Sequence, residues 1–262
     1  MATIKNKSTG HELAKRDWIA GLEKGLGILE AFGDAHPRMS ATQMAMLVGI
    51  TRTAARRHLL TLAHLGYVTT DGKLFWLTPR VLRMGQAFLE SSRLARSAQP
   101  YLQRITLATH ETAYVSMIDG NDIIYIARNG ANRLLNTGYQ LGARVPAQTT
   151  AAGLVLLALR ESPTLDEWLE RTPLLTYTPY STTNKAQMRT QLMQARHQDW
   201  ALSEQQLELG YRGVAVPLRD ARGALAGALS VTMPMGNEPA ADAAQRVVGV
   251  LRETAALMRH VI

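Results

Sequence analysis

The chain has 262 residues, with 29 Lys+Arg against 21 Asp+Glu for a formal net charge of +8, and it has no cysteine. Disulfides, thiolate nucleophiles and sulfur-ligated metals are thereby excluded. The absence of a long apolar run and of a signal-peptide core leads us to expect a soluble cytoplasmic protein, long enough for two domains.

Residues 1–16 are polar and are expected to be a mobile tail. Residues 19–32 carry Leu22, Leu26, Leu29 and Phe32 at helical spacing and predict a supporting first helix. Residues 40–67 are the most informative stretch. Ser40 and Gln43 form an S-x-x-Q capping box that starts a second helix. Gly49 supplies a tight turn, and Thr51 caps a third helix that opens with Arg52, Thr53, Arg56 and Arg57. On that helix Ala55, Leu59 and Leu62 are expected to pack on Met44, Leu47 and Val48. Such an arrangement is a helix-turn-helix, whose second helix enters the DNA major groove by its first turns. Arginine there can bond guanine bidentately or neutralise phosphate. An arginine-rich surface helix is the plainer alternative, but cap, turn, charge and apolar pattern agree on the former.

Residues 67–77 read as two short strands around Asp71-Gly72, a hairpin with Lys73 near its tip. Helix-turn-helix plus hairpin makes a winged helix. The expected DNA-contacting residues are Ser40, Thr42, Gln43, Thr51, Arg52, Thr53, Arg56, Arg57, His58 and Lys73. Residues 79–97 predict a linker helix starting at Pro79, with Val81, Leu82, Met84, Phe88 and Leu89 on one side as a self-association face. Charge divides the chain near the end of this helix: residues 1–96 hold 14 Lys+Arg and 7 Asp+Glu (+7), the rest 15 and 14 (+1). Positive charge therefore sits with the helix-turn-helix, as phosphate binding requires, although a basic solubilising face has the same composition.

From Thr112 the period changes to that of strands. Residues 112–119 and 122–128 form a hairpin at Gly120-Asn121, and 134–139 a weaker strand. Residues 149–160 form a small-residue helix, Trp168 and Leu169 lie on a short one, and 184–197 form another. Residues 200–204, 213–219 and 225–232 are strands, and 239–262 a terminal helix with Val247, Val248, Leu251, Ala255 and Leu257 or Met258 inward. Antiparallel hairpins with helices around one sheet indicate α+β. The expected domains are 1–16, 17–78, 79–97 and 98–262.

No enzyme motif stands out. His11, His36, His58, His64, His110, His197 and His260 show no metal-ligand spacing, and no G-x-S-x-G elbow or P-loop occurs. Gly25-Leu-Gly27 lacks the third glycine and the preceding strand of a dinucleotide site. Asp119 and Asp122 flank a turn and read as turn formers. Neither catalysis nor a cofactor or metal is expected. A ligand-free architectural DNA-binding protein would not need the near-neutral second half.

Taken in order, several stretches resemble the IclR family of bacterial transcription regulators: residues 21–32 (GLEKGLGILEAF), 49–60 (GITRTAARRHLL), 65–68 (LGYV), 141–147 (LGARVPA) with Ala152-Gly153, and 204–213. Residues 17–26, 51–57 and 75–82 are most similar to the branch controlling aromatic-acid catabolism, whose members respond to 4-hydroxybenzoate, protocatechuate-pathway intermediates or related carboxylates. The resemblance implies a winged-helix domain, a linker helix and a GAF-like effector domain. It also implies a dimer or dimer of dimers on duplex promoter DNA and, for an activator, contact with RNA polymerase. A repressor sensing a small aliphatic or 2-oxo acid is the alternative within the family.

Carried across position by position, the resemblance places the effector against Thr150, Ala151, Ala152, Ser203, Tyr211, Gly213, Ser230 and Thr232. Some relatives have an acid at Ser203 and a thiol at Gly213; the residues present better suit an aromatic acid. Arg128, Arg144 and Arg212 flank these elements as candidate counter-ions, although an arginine in such a place more often faces solvent or pairs with a nearby acid. Tyr114 and Tyr125 are expected to be strand aromatics rather than effector contacts.

Overall fold

The computed structural model describes residues 14–130, 139–160 and 162–262. The chain divides into two compact units after Phe88. The expected strand over 134–139 falls, apart from Tyr139, outside the described residues, as does most of the expected tail; Lys15–Asp17 form a single 3-10 turn.

The first unit holds three helices, α1 (Ala20–Glu30), α2 (Ala41–Val48) and α3 (Arg52–His64), and a hairpin of β1 (Val68–Thr70) and β2 (Phe75–Leu77). Its core is Ile28, Met39, Met44, Ala45, Ala55, Leu59, Val68 and Phe75. Ser40 starts α2 with both halves of a capping box: its Oγ accepts from the Gln43 N–H, and Gln43 Oε1 accepts from the Ser40 N–H at 2.9 Å. Gly49 ends α2 at φ 72°, a conformation a Cβ would strain, and Thr51 Oγ1 accepts from the Ala54 N–H at 3.2 Å to cap α3. Met39 and Phe75 exchange backbone hydrogen bonds of 3.0 and 2.8 Å, adding a third short edge to the hairpin.

Three residues of the apolar patterns face outward. Ile28 fills the core from α1, with Leu29 and Phe32 beside it, while Leu22 is 59% exposed and Leu26 is also exposed. Leu47 is exposed because it lies about 100° round α2 from the Met44–Ala45–Val48 stripe.

The predicted continuous linker helix is broken. A 3-10 turn, Pro79–Val81, capped by Thr78, leads into α4 (Leu82–Ser91), and α5 (Arg93–Thr109) begins anew. Ser92 is extended, with its Oγ accepting from the Ala95 N–H at 3.3 Å; a serine that caps the next helix competes with continuation of the previous one.

The second unit is built on a six-stranded antiparallel sheet. Its strands are β3 (Thr112–Asp119), β4 (Asp122–Asn129), β5 (Arg144–Pro146), β6 (Ala201–Glu204), β7 (Tyr211–Arg219) and β8 (Leu225–Pro234), in the spatial order β5-β4-β3-β8-β7-β6. The short edge strand β5 was not anticipated. Helices α6 (Ala151–Ala158), α7 (Ser162–Arg171) and α8 (Lys185–Gln198) contribute to one core, which includes Tyr114, Tyr125, Ala215 and Ala228 from the sheet. On the opposite face α5 and α9 (Ala240–Met258) pack on Val115, Val214, Val216, Leu229 and Val231. Alternate residues of each strand thus serve alternate cores, as a two-sided sheet demands. In α9, Val247, Val248, Leu251 and Met258 are inward and Leu257 is exposed.

Candidate functional site

On the first unit, Thr51, Arg52, Thr53, Arg56 and Arg57 are all exposed on the first turns of α3. Thr42 and Gln43 are exposed on α2, and Ser40 is partly buried at its start. His58 differs: it is partly buried, and its Nδ1 lies 4.0 Å from where a Gly25 Cβ would be, so it packs toward α1. Lys73 is exposed in the hairpin turn. That turn is rigid, because Asp71 Oδ1 accepts from the Lys73 and Leu74 N–H groups at 2.9 and 2.8 Å, and those bonds hold the carboxyl below its usual range. Arg38 lies over the Trp76 ring, 4.3 Å from its centroid. A cationic, hydrogen-bonding helix start beside a fixed hairpin matches the major-groove reading geometry of a winged helix.

The second unit encloses a cavity of about 240 Å³. Register creates it. Ser203, Gly213, Thr232 and Thr112 stand opposite one another across β6, β7, β8 and β3, and the next row runs Ala201, Ala215, Ser230, Tyr114 and Arg128. The start of α6 crosses this floor. A Cβ at Gly213 would sit 3.6 Å from Ala151 Cβ, so Gly213 lies directly beneath the helix start. Thr150 caps α6 by accepting from the Gly153 N–H at 3.0 Å, leaving the first-turn N–H groups of Ala151 and Ala152 without an intrahelical partner. Gly153 is itself required, since a Cβ there would lie 2.0 Å from the Ala147 carbonyl oxygen. Ser203 Oγ donates to the Thr149 carbonyl at 2.7 Å, tying β6 to the segment leading into α6.

Thr150, Ala151, Ala152, Ser203, Tyr211, Arg212, Gly213, Ser230 and Thr232 all line this cavity. The other two candidate arginines do not. Arg144 is on β5, where it pairs with Asp119 and Asp122 across the hairpin turn. Arg128 is separated from Ser230 by Tyr114, which stands between them in the cross-strand row. Arg212 is 3% exposed and already engaged: Nε donates to Glu204 Oε1 at 2.7 Å and Nη2 to the Glu238 carbonyl at 3.1 Å.

Sequence reasoning missed Tyr125, Tyr139 and the 205–208 segment, which also line the cavity. Strand alternation could have placed Tyr125 on the α6 face; nothing local marks the loop. The Tyr125 and Tyr139 rings stack 5.4 Å apart, and Tyr114 lies 4.6 Å from Tyr125. Burial raises all three phenols, with Tyr139 pushed up to about 12 by burial and then by the nearby Glu208. These tyrosines are neutral donors at physiological pH.

Residues 21–72 match the family model described as the IclR helix-turn-helix domain, and residues 86–259 match the bacterial transcriptional regulator IclR C-terminal. The chain belongs to the IclR family. Among relatives of this IclR regulator, the Pca operon regulatory protein of Acinetobacter baylyi is 35% identical, covering 99% of this chain and 95% of its own. The p-hydroxybenzoate hydroxylase transcriptional activator of the same organism is 36% identical over 99% and 97%. Among solved structures, a double mutant of the Acinetobacter PobR inducer-binding domain, in complex with 3-hydroxybenzoic acid, is similar at a TM-score of 0.61. It is 28% identical, covering 65% of this chain and all of that one. The family and these relatives are transcriptional regulators. No described helix is long and apolar enough to cross a membrane, and no described cluster of His, Asp or Glu could hold a metal.

Proposed function

We propose that this IclR regulator controls genes for the breakdown of an aromatic acid, binding promoter DNA through its winged helix and one small aromatic carboxylate in its second unit. The observation that carries the reading is the cavity between the α6 start and the Ser203–Gly213–Thr232 row. A dry cavity of about 150 Å³ accepts a benzene ring, so about 240 Å³ leaves room for a ring with substituents. Tyr125 and Tyr139 offer planar apolar surface. The helix start offers the ligand's carboxylate the N–H groups of Ala151 and Ala152, where a helix favours an anion. The hydroxyls of Thr150, Ser230 and Thr232 complete the polar lining. With Arg212 engaged by Glu204, this helix start, rather than an unpaired arginine, is the primary anchor. The relatives' names and the hydroxybenzoic acid held by the PobR domain support the same class of effector.

DNA contact falls to Arg52, Thr53, Arg56 and Arg57 on α3, supported by Lys73, in a cytoplasmic protein acting as at least a dimer, since one recognition helix covers only a half-site. Leu82, 71% exposed, with Met84 and Phe88 offers an apolar self-association face. Activation by contact with RNA polymerase is the mode we assign. Thermal melts with hydroxybenzoates, protocatechuate, pyruvate and glyoxylate test the effector class. Upward shifts with the aromatic acids alone are expected through linkage; shifts with the 2-oxo acids alone would replace the aromatic reading.

A further inference from the structure

We infer that the end of the cavity away from α6 selects a neutral hydrogen-bond donor and rejects a second negative charge, with Glu208 as the specificity-determining residue. The inference rests on the cavity being the seat of an aromatic carboxylate. The described lining holds one basic and one acidic residue, Arg212 and Glu208. Arg212 has its charge matched by Glu204, through Nε at 2.7 Å and Nη2 at 2.6 Å, so that pair presents a neutral wall. Glu208 is exposed and lies in the segment closing the β6–β7 hairpin, beyond the Ser203–Gly213 row over which α6 begins. It is close enough to Tyr139 to raise that phenol further, and Tyr139 stacks on Tyr125.

A ring laid along the two tyrosines with its carboxylate at Ala151 and Ala152 therefore directs its far substituent toward Glu208. A carboxylate oxygen accepts a hydrogen bond from a phenolic hydroxyl or an amide N–H. It repels a second carboxylate, and among the described lining residues the one basic side chain, Arg212, is already matched by Glu204. The class selected is a monoanionic aromatic acid with a donor opposite its carboxylate.

Titration calorimetry on the full chain tests this with benzoate, 4-hydroxybenzoate, terephthalate and the monoamide of terephthalate, which matches the diacid in size without the second charge. Wild type should favour 4-hydroxybenzoate over benzoate, and the monoamide over terephthalate by at least about tenfold. Glu208→Gln, exposed and so not expected to disturb folding, should reduce both preferences severalfold. Preferences unchanged in the variant, or terephthalate binding as tightly as its monoamide to wild type, would overturn the inference while leaving the aromatic reading intact. If none of the four acids binds wild type, both fail together.

Discussion

Gly213 and Gly153 show how single positions decide the site. Under α6, Gly213 keeps part of the cavity open, because an added Cβ would touch Ala151 and a longer side chain would extend into the cavity. Gly153 lets the helix approach the Ala147 carbonyl, and Gly153→Ala is expected to destabilise the second unit by ~1–3 kcal/mol or more through overpacking, measurable by urea denaturation. An unchanged midpoint would mean that the backbone yields freely there. On α3, Arg56→Ala or Arg57→Ala should cost on the order of 1–3 kcal/mol of operator affinity if that arginine reads a base, and less if it holds phosphate. Wild-type retardation of promoter DNA by the double variant would remove α3 as the reading helix. The caps at Ser40, Gln43 and Thr51 were legible in the sequence because partners three residues apart define them. The placement of Arg128 and Arg144 was not, because it depends on which strands lie side by side and on ion pairs formed across a turn.

At the scale of elements, the sequence was readable wherever periodicity was long or a turn had special chemistry. The β1–β2 turn and α3 follow from residues adjacent in sequence. Residues 205–208 close the cavity only because β6 and β7 meet, and no local pattern marks them as lining. The strand β5 was missed because three residues are too few for an alternation signal. The α4–α5 break was missed because apolar spacing continues through it, whereas Ser92 chooses to cap. The tyrosine cluster on β3, β4 and the segment before β5 makes an element-level prediction. Burial raises these phenols above their unfolded value of about 10. Their contribution to stability is therefore complete below pH 10 and is lost as pH rises through their folded values. Melting temperatures followed by near-ultraviolet circular dichroism should hold level to about pH 9.5 and then fall, and Tyr125→Phe should flatten that fall. A slope identical in the variant would show that Tyr125 does not carry it.

For the whole molecule, charge and task are divided. Nearly all the excess positive charge lies in residues 1–96 (14 Lys+Arg, 7 Asp+Glu), while the cavity lies in the near-neutral remainder. DNA affinity should therefore fall steeply with salt through counterion release, whereas uptake of a monoanionic effector by a helix start and neutral hydroxyls should change far less. Parallel salt dependences of the two would contradict that division. The most direct test of the central claim, a promoter-binding regulator that takes one aromatic acid per chain beneath α6, is calorimetric titration of 3- and 4-hydroxybenzoate into wild type and Gly213→Leu, with promoter affinity measured on both. One site per wild-type chain, no binding to the variant, and equal promoter affinity are predicted. Undiminished binding to Gly213→Leu, or no binding to a wild type that still recognises its promoter, would contradict the account.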